Sequence, residues 1–243
     1  ADRIYQLNIA IAGVAVGTVS LPVLSKDFNQ KRIFKISNIQ SRSIELSLLF
    51  SIPASLGLII ASKEIVNALF GYGSFTIENI NMTALALKYF GYGIPAFALI
   101  KILSNFFFAR NNTKTPFYIS TFIVLFNILI SITFFNKVGF VIIPIATSIS
   151  TWIGVMIYIY LLNDKNFLLL RNYLPKNIFK IILNAVFMSF LLIFALNYYA
   201  DYLDYNYKYK SVYLLLIVGF VTVFYLISCY FTGLLKTKKF KVN

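Results

Sequence analysis

The chain has 243 residues, 59% of them hydrophobic and 12% charged, with a mean hydropathy of +0.79 and a formal net charge of +14. Ordinary soluble domains are about 25% charged, so the composition excludes a soluble globular protein and points to a polytopic membrane protein. Histidine is absent and Cys229 is the single cysteine, which leaves no disulfide framework and no His/Cys metal cluster.

The first stretch, residues 4–25, carries no charge and is long enough to cross a bilayer core, which takes roughly 20 residues. It is rich in small residues: Ala10, Ala12, Gly13, Ala15, Gly17, Thr18 and Ser20. Small residues let membrane helices approach closely. Gln6 and Asn8 lie within it, and Asp2 and Arg3 stand at its mouth. Polar groups at such a place are costly unless they face protein or a wet cavity. The helix therefore reads as the wall of an internal cavity, with Arg3 at the entrance. The chain opens on Ala-Asp-Arg rather than Met, and we expect it to be a piece of a longer polypeptide.

The second span is expected over residues 44–62, with Pro53 and Gly57 as kink points. Residues 63–75 read as a short amphipathic piece closed by Gly71-Tyr72-Gly73. The third span, residues 82–109, contains Lys88 and Lys101 and bends at Pro95. The remaining spans are residues 115–136, 138–163, 181–200 and 211–235. The expected fold is thus an all-α, polytopic bundle of seven transmembrane helices.

Cations alternate along the connections. Lys26, Lys31, Arg32, Lys35 and Arg42 follow the first span, Arg110 and Lys114 the third, and Lys165, Arg171, Lys176 and Lys180 the fifth. The tail after the seventh carries Lys236, Lys238, Lys239 and Lys241. The intervening connections are mixed or acidic, with Glu64, Glu78, Asp201 and Asp204. This is the positive-inside pattern. It puts residues 26–42, 110–114, 164–180 and 236–243 in the cytoplasm, and it accounts for the basic charge without nucleic acid. Attraction to anionic lipid head groups adds to it. Six tyrosines between Tyr198 and Tyr209 read as an interfacial belt.

No two of the eight carboxylates form a catalytic pair within a span, so an enzyme is not expected. The informative side chains are cations. Lys101 reads either as a lysine snorkelling to the interface or as an anion contact in a cavity. Asn127 and Ser131 are four apart and share a helix face. Thr147, Ser148, Ser150 and Thr151 make the next span polar on more than one side. Such groups most often join helices.

Three stretches carry a resemblance. Ala1-Asp2-Arg3-Ile4-Tyr5-Gln6-Leu7, with Gly13 to Thr18 and Leu21 to Ser25, resembles the eighth transmembrane helix of the MurJ/MviN lipid II flippases. Leu69-Phe70-Gly71-Tyr72-Gly73-Ser74-Phe75-Thr76 resembles the loop after their ninth helix. Pro95 to Leu103, with Phe108-Ala109-Arg110-Asn111-Asn112-Thr113-Lys114-Thr115-Pro116, resembles the end of the tenth helix and the loop beyond.

The resemblance implies helices eight to fourteen of a fourteen-helix exporter of the multidrug/oligosaccharidyl-lipid/polysaccharide type in the cytoplasmic membrane. Residues 1–163 would be the C-terminal lobe of the transport bundle without its first helix. Residues 164–243 would add two helices with a groove for a lipid tail. The implied cargo is lipid II, a pyrophosphate-linked peptidoglycan precursor, and the implied partners are membrane lipids and the cell-wall synthesis machinery, with no nucleic acid. Arg3 would be the family's cavity arginine; Asp2, Gln6 and Lys101 would join it at the substrate. Asn127, Ser131 and Thr147 would stand at the positions of a family ion site, Ser131 in place of an Asp. No bound cofactor is implied; sodium or the membrane potential would drive transport. Another flippase or a drug/cation antiporter of the superfamily is the neighbouring reading, and a membrane-bound glycosyl- or acyltransferase a more distant one.

Overall fold

A computed structural model describes residues 6, 13, 16–30 and 32–235. Asp2, Arg3 and the basic tail from residue 236 lie outside the described residues. The described part is helical: α1 (Val16–Asn29), α2 (Ile33–Ile60), α3 (Ser62–Phe70), α4 (Ile77–Phe108), α5 (Lys114–Val138), α6 (Ile142–Asp164), α7 (Leu174–Tyr198) and α8 (Lys210–Phe231). Short 3-10 turns at Gly139–Val141 and Ala200–Leu203 break α5 from α6 and precede α8.

Five stretches are long and apolar enough to cross a membrane: α2, α4, α7, α8 and the continuous run Lys114–Asp164 that holds α5 and α6. The expected first span, residues 4–25, lies mostly outside the described residues, and its described end falls in α1. The other six expected spans each fall on a helix, with shifted ends. The largest shift is in α2, which starts at Ile33 instead of 44. Its 28 residues measure about 42 Å at ~1.5 Å per residue, longer than a hydrocarbon core of ~30 Å. Lys35 and Arg42 lie on the turns that project past it. Nothing between residues 33 and 43 breaks a helix, since Pro and Gly are absent there.

Local signals set several ends. Thr76 caps α4 by accepting a hydrogen bond from the Asn79 amide (3.3 Å), and Glu78 stands in the first turn, where a carboxylate suits the helix dipole. Gly139 closes α5 with φ +72°, a backbone region that costs a residue with a Cβ. The chain then turns straight back, so α5 and α6 form an antiparallel hairpin. Gly154 of α6 faces Ile123 of α5 and Ile100 of α4.

α4 is the hub: it packs against α1, α2, α3 and α6. α2 lies beside it and also meets α1 and α7. The core follows this arrangement, with Leu49, Ile102, Leu103, Phe106, Phe107, Tyr158 and Ile181 buried together. α5 touches mainly α6 and leaves Leu125, Leu129 and Ile132 exposed, as a lipid-facing helix does.

Candidate functional site

The site begins with the small residues of the first span. Gly13 and Gly17 press against α4, and a Cβ on Gly13 would sit 3.2 Å from the Ala98 Cα and 3.3 Å from the Lys101 side chain. Asn105, one turn beyond Lys101, donates from Nδ2 to the Gly17 carbonyl (2.9 Å). Two glycines thus let α4 close on the first span, and one amide bond sets their register.

Beside this contact lies a groove of about 560 Å³. Gly13, Gly17, Thr18 and Leu21 form one wall, with Lys101, Ser104, Asn105 and Phe108 of α4 at the back. Pro116, Phe117 and Ser120 of α5 and Tyr158 of α6 complete it. Lys101 is exposed in the groove, and it has no ion pair among the described residues. Its stem packs against Gly13. Gln6 is exposed. Of the groove residues on α5 and α6, Pro116 stood in a motif quoted from the sequence, and Phe117, Ser120 and Tyr158 were not singled out. The signal was there: residues 113, 116, 117 and 120, at and after the start of α5, repeat at the i, i+3, i+4, i+7 spacing of one helix face.

The second candidate cluster is brought together by the α5–α6 hairpin. Asn127 Nδ2 donates to Thr147 Oγ1 (2.9 Å), Ser131 Oγ donates to Asn127 Oδ1 (3.5 Å), and Thr147 Oγ1 donates to the Ile143 carbonyl (2.7 Å). The Asn127–Thr147 bond crosses the hairpin, and the other two stay within one helix. As a cation site the set offers three neutral oxygens and no carboxylate. Any charged ligand to a cation here would come from outside this set.

At the basic end a different arginine is engaged. Arg110 lies between the rings of Phe28 (3.8 Å) and Phe167 (4.1 Å). It donates to the carbonyls of Phe106 (2.6 Å) and Phe167 (2.8 Å). Burial pushes its pKa down to about 10, so it is cationic at neutral pH. Gln40 of α2 pairs with the same segment, donating to Phe167 O (2.9 Å) and accepting from Leu169 N (2.8 Å). These side chains staple the loop between α6 and α7 onto α1, α2 and α4.

The profile of the family described as lipid II flippase MurJ matches residues 1–217. The chain belongs to the lipid II flippase MurJ family. It is 33% identical over 203 residues to a probable lipid II flippase MurJ of Rickettsia prowazekii, covering 84% of this chain and 40% of that protein. It is 32% identical over 204 residues to the lipid II flippase MurJ of Thermosipho africanus, covering 84% and 39%. A solved structure, lipid II flippase MurJ in an inward closed conformation, superimposes with a TM-score of 0.78 at 28% identity over 96% of this chain and 45% of that one. The chain spans less than half the length of these relatives. As a MurJ-family chain it is a multi-pass membrane protein, and its groove and hairpin cluster lie in a fold shared with a solved flippase.

Proposed function

We propose that the native polypeptide is a lipid II flippase that moves the lipid-linked peptidoglycan precursor across the cytoplasmic membrane, a transporter rather than an enzyme. The single observation behind this reading is the close superposition of 96% of the chain on a solved flippase. The chemistry agrees with it. A pyrophosphate cargo needs cations that neutralise it away from water. Arg3 supplies a planar fork matched to phosphate oxygens, and Lys101 a movable point charge. Asp2 and Gln6 join them at the cargo. Residues 1–163 act as one lobe of the bundle, rocking against the rest of the protein around the cargo. Residues 164–243 add two helices, whose exposed Phe187, Phe190, Phe194, Leu215 and Phe220 carry the lipid tail. Sodium or the membrane potential drives the cycle.

The test is complementation of a flippase-depleted bacterium with the native polypeptide. Arg3→Ala is expected to abolish growth with membrane levels unchanged, Arg3→Lys to restore it only in part, and Lys101→Ala to be milder. Normal growth with Arg3→Ala would sink the site assignment. Failure of the unmodified protein to support growth or to move lipid II in vesicles would sink the function.

A further inference from the structure

Two of the long helices carry a proline in mid-span, Pro53 in α2 and Pro95 in α4. A proline has no N–H, so the carbonyl four residues earlier loses its helical donor. For Pro53 that carbonyl belongs to Leu49, and for Pro95 to Gly91. In water such a carbonyl finds solvent; in a membrane core it needs a protein donor.

Both carbonyls are taken by a hydroxyl from a neighbouring helix. Tyr225 Oη of α8 donates to Leu49 O (2.9 Å), and Ser55 Oγ of α2 donates to Gly91 O (2.7 Å). Both bonds are buried, and Tyr225 is 3% exposed and Ser55 6%. Gly91 makes the second bond feasible: a Cβ there would come within 2.9 Å of Ile59 Cγ1, so only glycine lets α2 approach this closely. In the turn before Pro95, Ser148 Oγ donates to Tyr89 O (2.7 Å) and Trp152 Nε1 to Tyr92 O (2.9 Å), both from α6. The links run in series. α8 holds the proline site of α2, and α2, two residues past its own proline, holds the proline site of α4.

We propose that the hydroxyls of Tyr225 and Ser55 replace the two missing proline N–H donors, and that this couples the kinks of α2 and α4 to each other and to α8. Ser55 and Tyr225 are positioning residues. Through them the last helix is tied to the hub, so that α2, α4 and α8 bend together or not at all.

The test is a pair of double-mutant cycles in the native polypeptide, read as apparent Tm in detergent and as complementation. Tyr225→Phe and Ser55→Ala should each lower Tm by about 2–4 °C, the shift expected for one orphaned carbonyl in a domain of this size. In the Pro53→Ala background, Tyr225→Phe should cost nothing, because the backbone N–H restored by that substitution now serves Leu49 O. Ser55→Ala should likewise be neutral in the Pro95→Ala background. Equal losses in both backgrounds, or no loss in either, would overturn the proposal. If a proline variant fails to fold, Ser55→Thr against Ser55→Val decides. The two are equal in shape, and only the one that keeps its hydroxyl should retain the Tm. Equal behaviour of that pair would refute the role of Ser55.

Discussion

Lys210 shows how much one side chain can decide. It is 1% exposed, and its ammonium has three donors. They go to Asn67 Oδ1 (3.1 Å), Gly71 O (2.6 Å) and Tyr205 O (2.6 Å). The rings of Tyr72 and Tyr205 lie 4.4 and 4.7 Å away. The cation thus ties the start of α8 to α3 and to the Gly71-Tyr72-Gly73 turn. Lys210→Met keeps the stem but leaves three acceptors without a donor. At about 1–3 kcal/mol per orphaned group, we expect a clear fall in Tm in a detergent unfolding assay; an unchanged Tm would refute the latch. Arg110 makes the matching prediction at the other end. Arg110→Lys keeps the charge but loses stacking between Phe28 and Phe167 and one of two carbonyl bonds, and should cost about 1–2 kcal/mol. A loss no greater than that of a surface Arg→Lys control would show that the stacking contributes nothing.

At the scale of elements the α5–α6 hairpin separates gluing from ligand binding. Asn127, Ser131 and Thr147 bond to one another, and interhelical bonds of this kind contribute about 0.6 kcal/mol on average. Asn127→Leu is therefore expected to change stability by about 1 kcal/mol or less. With no carboxylate in the set, sodium should not raise the Tm of the native polypeptide relative to potassium. A sodium-specific rise that Asn127→Leu removes would show that a charged ligand from elsewhere completes a site here. α4 and α1 form the other element pair on which the site depends. Their close approach at Gly13 and Gly17, locked by Asn105, shapes the groove that exposes Lys101.

For the whole molecule the orientation is the outstanding prediction. The alternation of cations places Lys35 on the inner side and Asp204 on the outer side. Single cysteines at these positions, probed with a membrane-impermeant thiol reagent, should label from outside at residue 204 and only after permeabilisation at residue 35. The native Cys229 is fully buried and should add little background. The reverse pattern would invert the topology.

Length and hydropathy alone determined the spans, because a bilayer demands long uncharged runs whatever packs around them. Charge alternation and the residues of three motifs led to the family in the same way, since both are properties of the chain read in order. Lys101 was legible as a misplaced cation in an apolar helix, and Asn127 with Ser131 as a pair on one face. Other features depended on tertiary structure. Glu45 is 2% exposed and bonded to Arg42 at 2.7 Å, because α2 extends eleven residues further than its apolar run. Gln40, Ser55 and Tyr225 gave no signal. Each of these binds a backbone carbonyl or amide on an element distant in sequence, and a carbonyl is the same in every residue. Periodicity reports which face of a helix is apolar. Only packing decides which backbone group that face meets.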